Sequence, residues 1–244
     1  MKTNKTFEQD AIICLAAGKS QESLLLKAKS LGYVIVAVDK NADAVGFKYA
    51  DECVCESTYD AQAIIKKLDL FGNKYKWIGV LNRSSGPPVV VAAELSEHYN
   101  IPGVPVATAS SLVNKDQLRE ICTRYSLPTP KYKICLTTDN EPVEIIKFPV
   151  VVKPALSLVG KSGITVVSSK DGLPNAIEYA KEKTINDKIL IEEYLPGPDL
   201  TLVSFSLDGK ICPICLLDEL NVEINGKVTS RGYRVHTASD KKDL

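Results

Sequence analysis

The sequence is poor in several residue types, and each shortage excludes a class of function. It holds two histidines, His98 and His236. So few argue against a histidine-built metal centre or a Ser–His triad, and no His-Glu-x-x-His, Walker or kinase pattern occurs. Neither sign of charge is in excess, with Lys plus Arg at 30 and Asp plus Glu at 30. A nucleic-acid-binding protein would carry a basic stripe or surplus, so no nucleic-acid partner is expected. Long apolar runs are missing too. Those at 149–152 and 211–217 fall far short of the ~20 residues that a bilayer-spanning helix needs. Residues 1–10 are polar and lack the apolar region of a secretory signal. Seven cysteines, an odd number, are scattered mostly inside apolar runs. They read as reduced, buried thiols of a cytoplasmic protein rather than a disulfide framework. Cys212-Pro213-Ile214-Cys215 has no second pair at matching spacing, and Cys53 and Cys55 lie in the other half. Strand positions three apart point to opposite faces, so core packing is the expected role of the 212–215 pair.

What remains is an ordinary globular composition, with 45% apolar and 25% charged residues over 244 positions. That length allows one large domain or two modest ones. The first hundred residues alternate short apolar runs with helical patterns. Runs at 11–16, 33–38, 52–56 and 77–81 read as strands, and 23–30, 61–70 and 88–99 as helices. Such alternation predicts a parallel sheet with helices on both faces. Two short helical pieces follow around Asn114-Lys115-Asp116. Leu127-Pro128-Thr129-Pro130 then imposes an extended break. Beyond it strands dominate, at 131–136, 149–153, 164–168, 189–195, 200–207, 210–217, 221–224 and 228–236, with one helix near 173–183. Asn225-Gly226 is a two-residue hairpin signal. The expected fold class is α/β followed by a largely antiparallel α+β half.

Loops after parallel strands are where open α/β sheets bind ligands. Ala16-Ala17-Gly18-Lys19-Ser20 has one Gly rather than the three of a dinucleotide fingerprint, and Asp39 ends the second strand, where such folds hold a ribose. The alternatives are a nicotinamide dinucleotide or an ordinary turn. Arg83, in Asn82-Arg83-Ser84-Ser85-Gly86, meets an anionic substrate or is a solvated loop residue. Lys153 ends a buried strand, where an anion is expected to hold it because an isolated buried charge is costly. The loop after it carries Ser157, Gly160, Lys161, Ser162 and Gly163, and its N–H groups can close over phosphate oxygens. A strand, a turn and an acidic residue opening another strand follow, from Ile189 through Glu192-Glu193-Tyr194-Leu195 to Asp199.

Taken in order, three blocks resemble the ATP-grasp superfamily. They are Asn114-Lys115-Asp116 with Leu127-Pro128-Thr129-Pro130, the strand ending at Lys153 with its Gly/Ser loop, and Glu192 to Asp199. The preceding half looks like that superfamily's Rossmann-like pre-ATP-grasp domain, and the closest likeness is to the carbamoyl-phosphate-synthase and carboxylate–amine ligase branch. The resemblance implies a pre-ATP-grasp domain at 1–107, a lid subdomain with linking helices at 108–193, and the start of the final antiparallel-sheet subdomain at 194–244. It implies that Lys115 and Lys153 bind ATP phosphates and that Ser157 to Gly163 form a phosphate lid. Glu192 would meet the adenine amino group, Glu193, Tyr194 and Leu195 would form the adenine hinge, and Asp199 would take the ribose hydroxyls. The superfamily more often has Glu at that last place. Lys115 as a solvated helix residue and a solvent-facing Glu193 are the alternatives.

The implied activity is an ADP-forming ligase that activates a small carboxylate as an acyl phosphate for attack by an amine. A homodimer is one implied assembly. Mg²⁺ is the implied ion, held in the superfamily by acidic residues and an Asn on late strands. Asp218 and Glu219 come too early in that order, so no metal ligand is expected within this chain. It would be a fragment, a shortened relative, or a nucleotide-binding module without catalysis. Arg231, Arg234 and His236 line an acceptor pocket or sit on a solvated strand face.

Overall fold

A computed structural model describes residues 9–138, 147–158, 161–224 and 227–235. The chain divides into two compact units. One comprises Met1–Leu127 and Ala155–Gly160, the other Pro128–Pro154 and Lys161–Leu244. The first of the three crossings between them, at Leu127-Pro128, falls on the proline-flanked stretch.

In the first unit the order is β1 (Gln9–Leu15), α1 (Glu22–Ser30), β2 (Val34–Asp39), β3 (Glu52–Cys55), α2 (Ala61–Leu68), β4 (Tyr75–Asn82), α3 (Pro87–His98), α4 (Val106–Val113) and α5 (Lys115–Arg124). The four strands form a parallel sheet in the order β3-β2-β1-β4. Central β1 is buried throughout Ala11–Leu15 because helices cover both faces, which is why it reads as an unbroken apolar run. The strand period of two sorts its side chains. Ala11, Ile13 and Leu15 pack with Ile64, Leu68 and Leu95 of α2 and α3, whereas Ile12 and Cys14 pack with Leu25 and Ala28 of α1. Burial pushes the Cys14 thiol up to about 12, so it is a small apolar filler, not a nucleophile. Trp77 stands beside Phe71, Tyr75 and Tyr99, with ring centroids 6.3, 5.6 and 5.7 Å away.

The second unit holds two sheets. β5 (Tyr132–Leu136), β6 (Val150–Pro154), β7 (Thr165–Val167) and β8 (Lys188–Glu193) form an antiparallel sheet in the order β5-β8-β6-β7, and α6 (Leu173–Lys183) covers one face. Val150, Val152, Ile189 and Ile191 point to that helix and pack against Ala176 and Ala180. β9 (Leu200–Leu207), β10 (Lys210–Ile224) and β11 (Lys227–Val235) make a three-stranded antiparallel sheet in the order β11-β10-β9.

Two details depart from the sequence reading. The strands expected at 210–217 and 221–224 are one strand, β10, with register shifts at Pro213/Cys215 and Leu220/Asn221. Asp218 and Glu219 look like a break in the sequence. In the fold each carboxylate meets a cation, Arg234 or Lys161, so the ladder continues through them. The thiols are also less buried than expected. Cys14 and Cys135 are buried, but Cys53, Cys55 and Cys212 are exposed and Cys122 and Cys215 lie between. The 212–215 pair is therefore not core, because it lies on a sheet that leaves Leu202, Phe205, Leu207, Ile211 and Ile214 more than half exposed. The hairpin expected at Asn225-Gly226 lies outside the described residues, although Ile224 and Lys227 pair on either side of it. Among the described residues, no helix is long and apolar enough to cross a membrane.

Candidate functional site

The pairing of β6 with β8 decides what Lys153 faces. In this antiparallel ladder Lys153 stands opposite Leu190 and Val151 opposite Glu192. Lys153 and Glu192 are thus diagonal neighbours on one face, and it is the face turned away from α6. They form an ion pair between Lys153 Nζ and Glu192 Oε2, with side chains 14% and 4% exposed. The anion expected to hold Lys153 is the carboxylate expected to meet adenine. Fully buried Leu190 lies between them in register. A charged pair beside Leu190 and Val151 on a sheet face is costly to desolvate, and it provides two poised polar groups next to apolar side chains, the lining a planar heterocycle with an anionic tail requires.

The chain just beyond Glu192 is fixed by its backbone. Glu193 N donates to Lys131 O at 2.8 Å and Tyr194 N to Pro149 O at 3.2 Å. The Glu193 side chain is exposed, with Lys131 N donating to its carboxylate at 3.4 Å. Leu195 is 60% exposed. Asp199 follows at the start of β9, where its carbonyl accepts from Glu219 N at 2.8 Å and its carboxylate accepts from Asn221 Nδ2.

Of the Gly/Ser loop, Gly160 lies outside the described residues. Lys161 and Gly163 both adopt left-handed backbone, with φ of 61° and 79°, and Ser162 between them is half-buried. Lys161 Nζ lies 2.5 Å from Glu219 Oε1 and 2.8 Å from Asn221 Oδ1. That ammonium is the first cause holding the Glu219 carboxyl below its ordinary 4.5, with Ser230 and Tyr233 also donating to it. The sign follows by linkage. A depressed folded-state pKa stabilises the fold above the unfolded value and is lost as pH falls through the folded one. The stability difference between wild type and Glu219→Gln is therefore expected to be full above about pH 4.5 and to vanish under more acid conditions. Denaturant titrations across pH check this, and a difference that persists unchanged in acid would refute it.

The remaining candidates are divided between the two units. In the first unit, Lys115 opens α5 and its N–H donates to Ala155 O at 2.9 Å. Ser157 is half-buried beside Gly86. The proposed phosphate contacts of Lys115 and Ser157 rest on the resemblance. Arg83 Nη1 donates to Ser20 O, and Gln21 Nε2 reaches Ser84 Oγ at 3.5 Å, so the loops after β1 and β4 are tied together. The Asp39 carboxylate already accepts from Ala17 N at 2.8 Å and Asn41 N at 2.9 Å, which favours the ordinary turn over a ribose site. In the second unit, Arg234 sends Nε and Nη2 to one oxygen of Asp218, at 3.0 and 2.6 Å. Arg231 is exposed, and His236 lies outside the described residues. Among the described residues, no three His, Cys, Asp or Glu side chains converge on a metal position. Sequence reasoning missed Glu219 and Asn221 as partners of the loop. They are two apart in β10, which places both on one face, but Asp218 and Glu223 beside them are equally polar, so no local pattern singles them out.

Residues 123–216 match the family described as "D-ala D-ala ligase C-terminus". The formate-dependent phosphoribosylglycinamide formyltransferase of Synechococcus sp. (strain WH7803) is 27% identical over 190 residues, covering 75% of this chain and 47% of that protein. The crystal structure of L-amino acid ligase from Bacillus licheniformis superposes with a TM-score of 0.72 at 20% identity, over 88% of this chain and 51% of that one. The N5-carboxyaminoimidazole synthetase from Staphylococcus aureus complexed with ADP gives 0.67 at 17% identity, over 92% and 58%. The chain spans about half the length of the curated relatives it matches.

Proposed function

We propose that this chain, whose fold is that of the ATP-grasp ligases, binds ATP in its second unit and serves an ADP-forming ligase that joins a small carboxylate to an amine. The observation that carries the reading is the Lys153–Glu192 pair on the face of β6 and β8 turned away from α6, followed in sequence by the backbone-fixed stretch Glu193–Tyr194 and by Asp199. Glu192 would accept from the adenine amino group and Lys153 would exchange its carboxylate partner for phosphate oxygens. The backbone of Tyr194 and Leu195 would edge the base, Asp199 would accept the ribose hydroxyls, and the Lys161–Gly163 turn would approach the phosphates. These groups position and neutralise; they form no covalent bond themselves, which suits phosphoryl transfer. The carboxylate oxygen would attack the γ-phosphorus with ADP leaving, and the amine would then displace phosphate from the acyl phosphate.

Mg²⁺ is the ion such transfers use between phosphate oxygens. Among the described residues no three His, Cys, Asp or Glu side chains gather to hold it without phosphate oxygens. Arg83, in the first unit, is the candidate for the substrate carboxylate. One of its five N–H donors is given to Ser20 O, and others remain for a bidentate contact.

The test is calorimetric titration with ATP, ADP and adenosine, followed by a screen for ADP formation over a panel of small carboxylates and amines. The expected result is ATP and ADP binding well above adenosine, with ADP release that needs a particular carboxylate. Tight nucleotide binding with no turnover would reduce the reading to a binding module. Failure to bind any adenine nucleotide would overturn it.

A further inference from the structure

Resting on that reading, we infer that Asn221 is a positioning residue for sugar recognition, linking the ribose-accepting carboxylate of Asp199 to the phosphate-loop lysine, Lys161. Asn221 Oδ1 lies 2.8 Å from Lys161 Nζ, and Nδ2 donates to Asp199 Oδ2. An ammonium only donates and an ionised carboxylate only accepts. A flipped amide would set its NH₂ against the ammonium and its oxygen against the carboxylate, so the two neighbours fix the orientation of Asn221 between them. Glu219, two residues earlier on the same face of β10, shares the Lys161 ammonium at 2.5 Å, and its N–H donates to Asp199 O at 2.8 Å. Asp199 is therefore held at its carbonyl by one residue of β10 and at its carboxylate by another.

This arrangement has two consequences. Asp199 has a short, exposed side chain just before β9, and without the Asn221 bond its carboxylate would be free to rotate. With Oδ2 held, the other oxygen is presented in a fixed direction for sugar hydroxyls. The same amide also joins the loop to the sugar site. Lys161 in place holds the oxygen side of Asn221 and so supports the grip on Asp199, which couples sugar recognition to loop position.

The experiment compares ATP with 2′-deoxy-ATP by calorimetry on the wild-type chain and on Asn221→Ala, Asn221→Asp and Lys161→Met. A hydroxyl donating to a held carboxylate is expected to favour ATP by about tenfold in wild type. Asn221→Asp keeps an acceptor for Lys161, is nearly the same size and cannot donate to Asp199. It and Asn221→Ala are both expected to bring the preference to about twofold or less. Lys161→Met is expected to weaken both nucleotides and also to lower the preference, whereas in an Asn221→Ala background it should leave the preference where it is. A purely structural role for Asn221 would change both affinities in parallel and leave their ratio alone. An unchanged ratio in both Asn221 variants overturns the inference, as does a wild type that binds ATP without sugar preference; in either case the nucleotide site still stands. A wild type that does not bind ATP overturns the functional reading instead.

Discussion

Lys153→Met is expected to lower unfolding free energy at neutral pH by about 3 kcal/mol, the cost of leaving a nearly buried carboxylate without its cation. Glu192 is 4% exposed and its side chain lies against the ammonium of Lys153. Removing the charge strands the carboxylate in a place already closed to water. The double variant Lys153→Met/Glu192→Gln removes both charges and is expected to recover most of the loss, because a neutral pair needs less solvation than one orphaned ion. Denaturant titration of the four proteins gives the coupling directly. A single-variant loss well under 1 kcal/mol would mean that water reaches the pair as it reaches surface bridges. The same single variant is expected to lower ATP affinity by about tenfold while leaving adenosine nearly unchanged, since the ammonium would meet only the phosphates. Equal losses for both ligands would instead assign Lys153 to the base or to the fold.

Gly163→Ala is the second large effect. The backbone there has φ of 79°, and a Cβ would stand 2.7 Å from Pro154 Cγ and 2.8 Å from Lys183 Cβ. Left-handed alanine costs roughly 1 kcal/mol, and pushing a proline ring and a helical side chain apart adds about 1–3. Gly209, in the turn between β9 and β10, provides the control. Its φ is 73° and nothing lies within 4 Å of its missing Cβ. Gly209→Ala should therefore lose the backbone part alone, about 1 kcal/mol. If the two variants lose equal stability, the close approach of Pro154 and Lys183 does not matter. Because Gly163 follows Lys161 in the loop, its alanine variant should also weaken ATP, a loss Gly209→Ala should not share.

Much of the architecture was legible in the sequence because the elements announce themselves locally. β1 and β2 are buried on both faces and so read as unbroken runs, and Gly32 closes the helix between them with a φ of 83°. The polar end of β10 was not legible. Asp218-Glu219 looks like a break until Arg234 and Lys161, far away in sequence, are seen to neutralise it. The site divides in the same way. The positions of Lys153 and Glu192 at strand ends follow from apolar patterning, yet their meeting depends on the register of β6 against β8, which no local pattern fixes. Asn221 was invisible for a related reason, since its partners lie 60 and 22 residues away. Asp208-Gly209 shows that local signals can also be overlooked. Both residues have positive φ, 49° and 73°, and form the two-residue turn that joins β9 to β10.

The chain has a single tryptophan, and its ring sits among Phe71, Tyr75 and Tyr99 on β4 and its neighbours, wholly within the first unit. Emission excited at the red edge of the absorption band therefore follows the melting of that unit and is blind to the other. Far-ultraviolet ellipticity follows the helices and sheets of both. Recorded together through a denaturant titration, the two signals give a built-in optical separation of the halves, with coincident curves reporting one cooperative transition and displaced curves two.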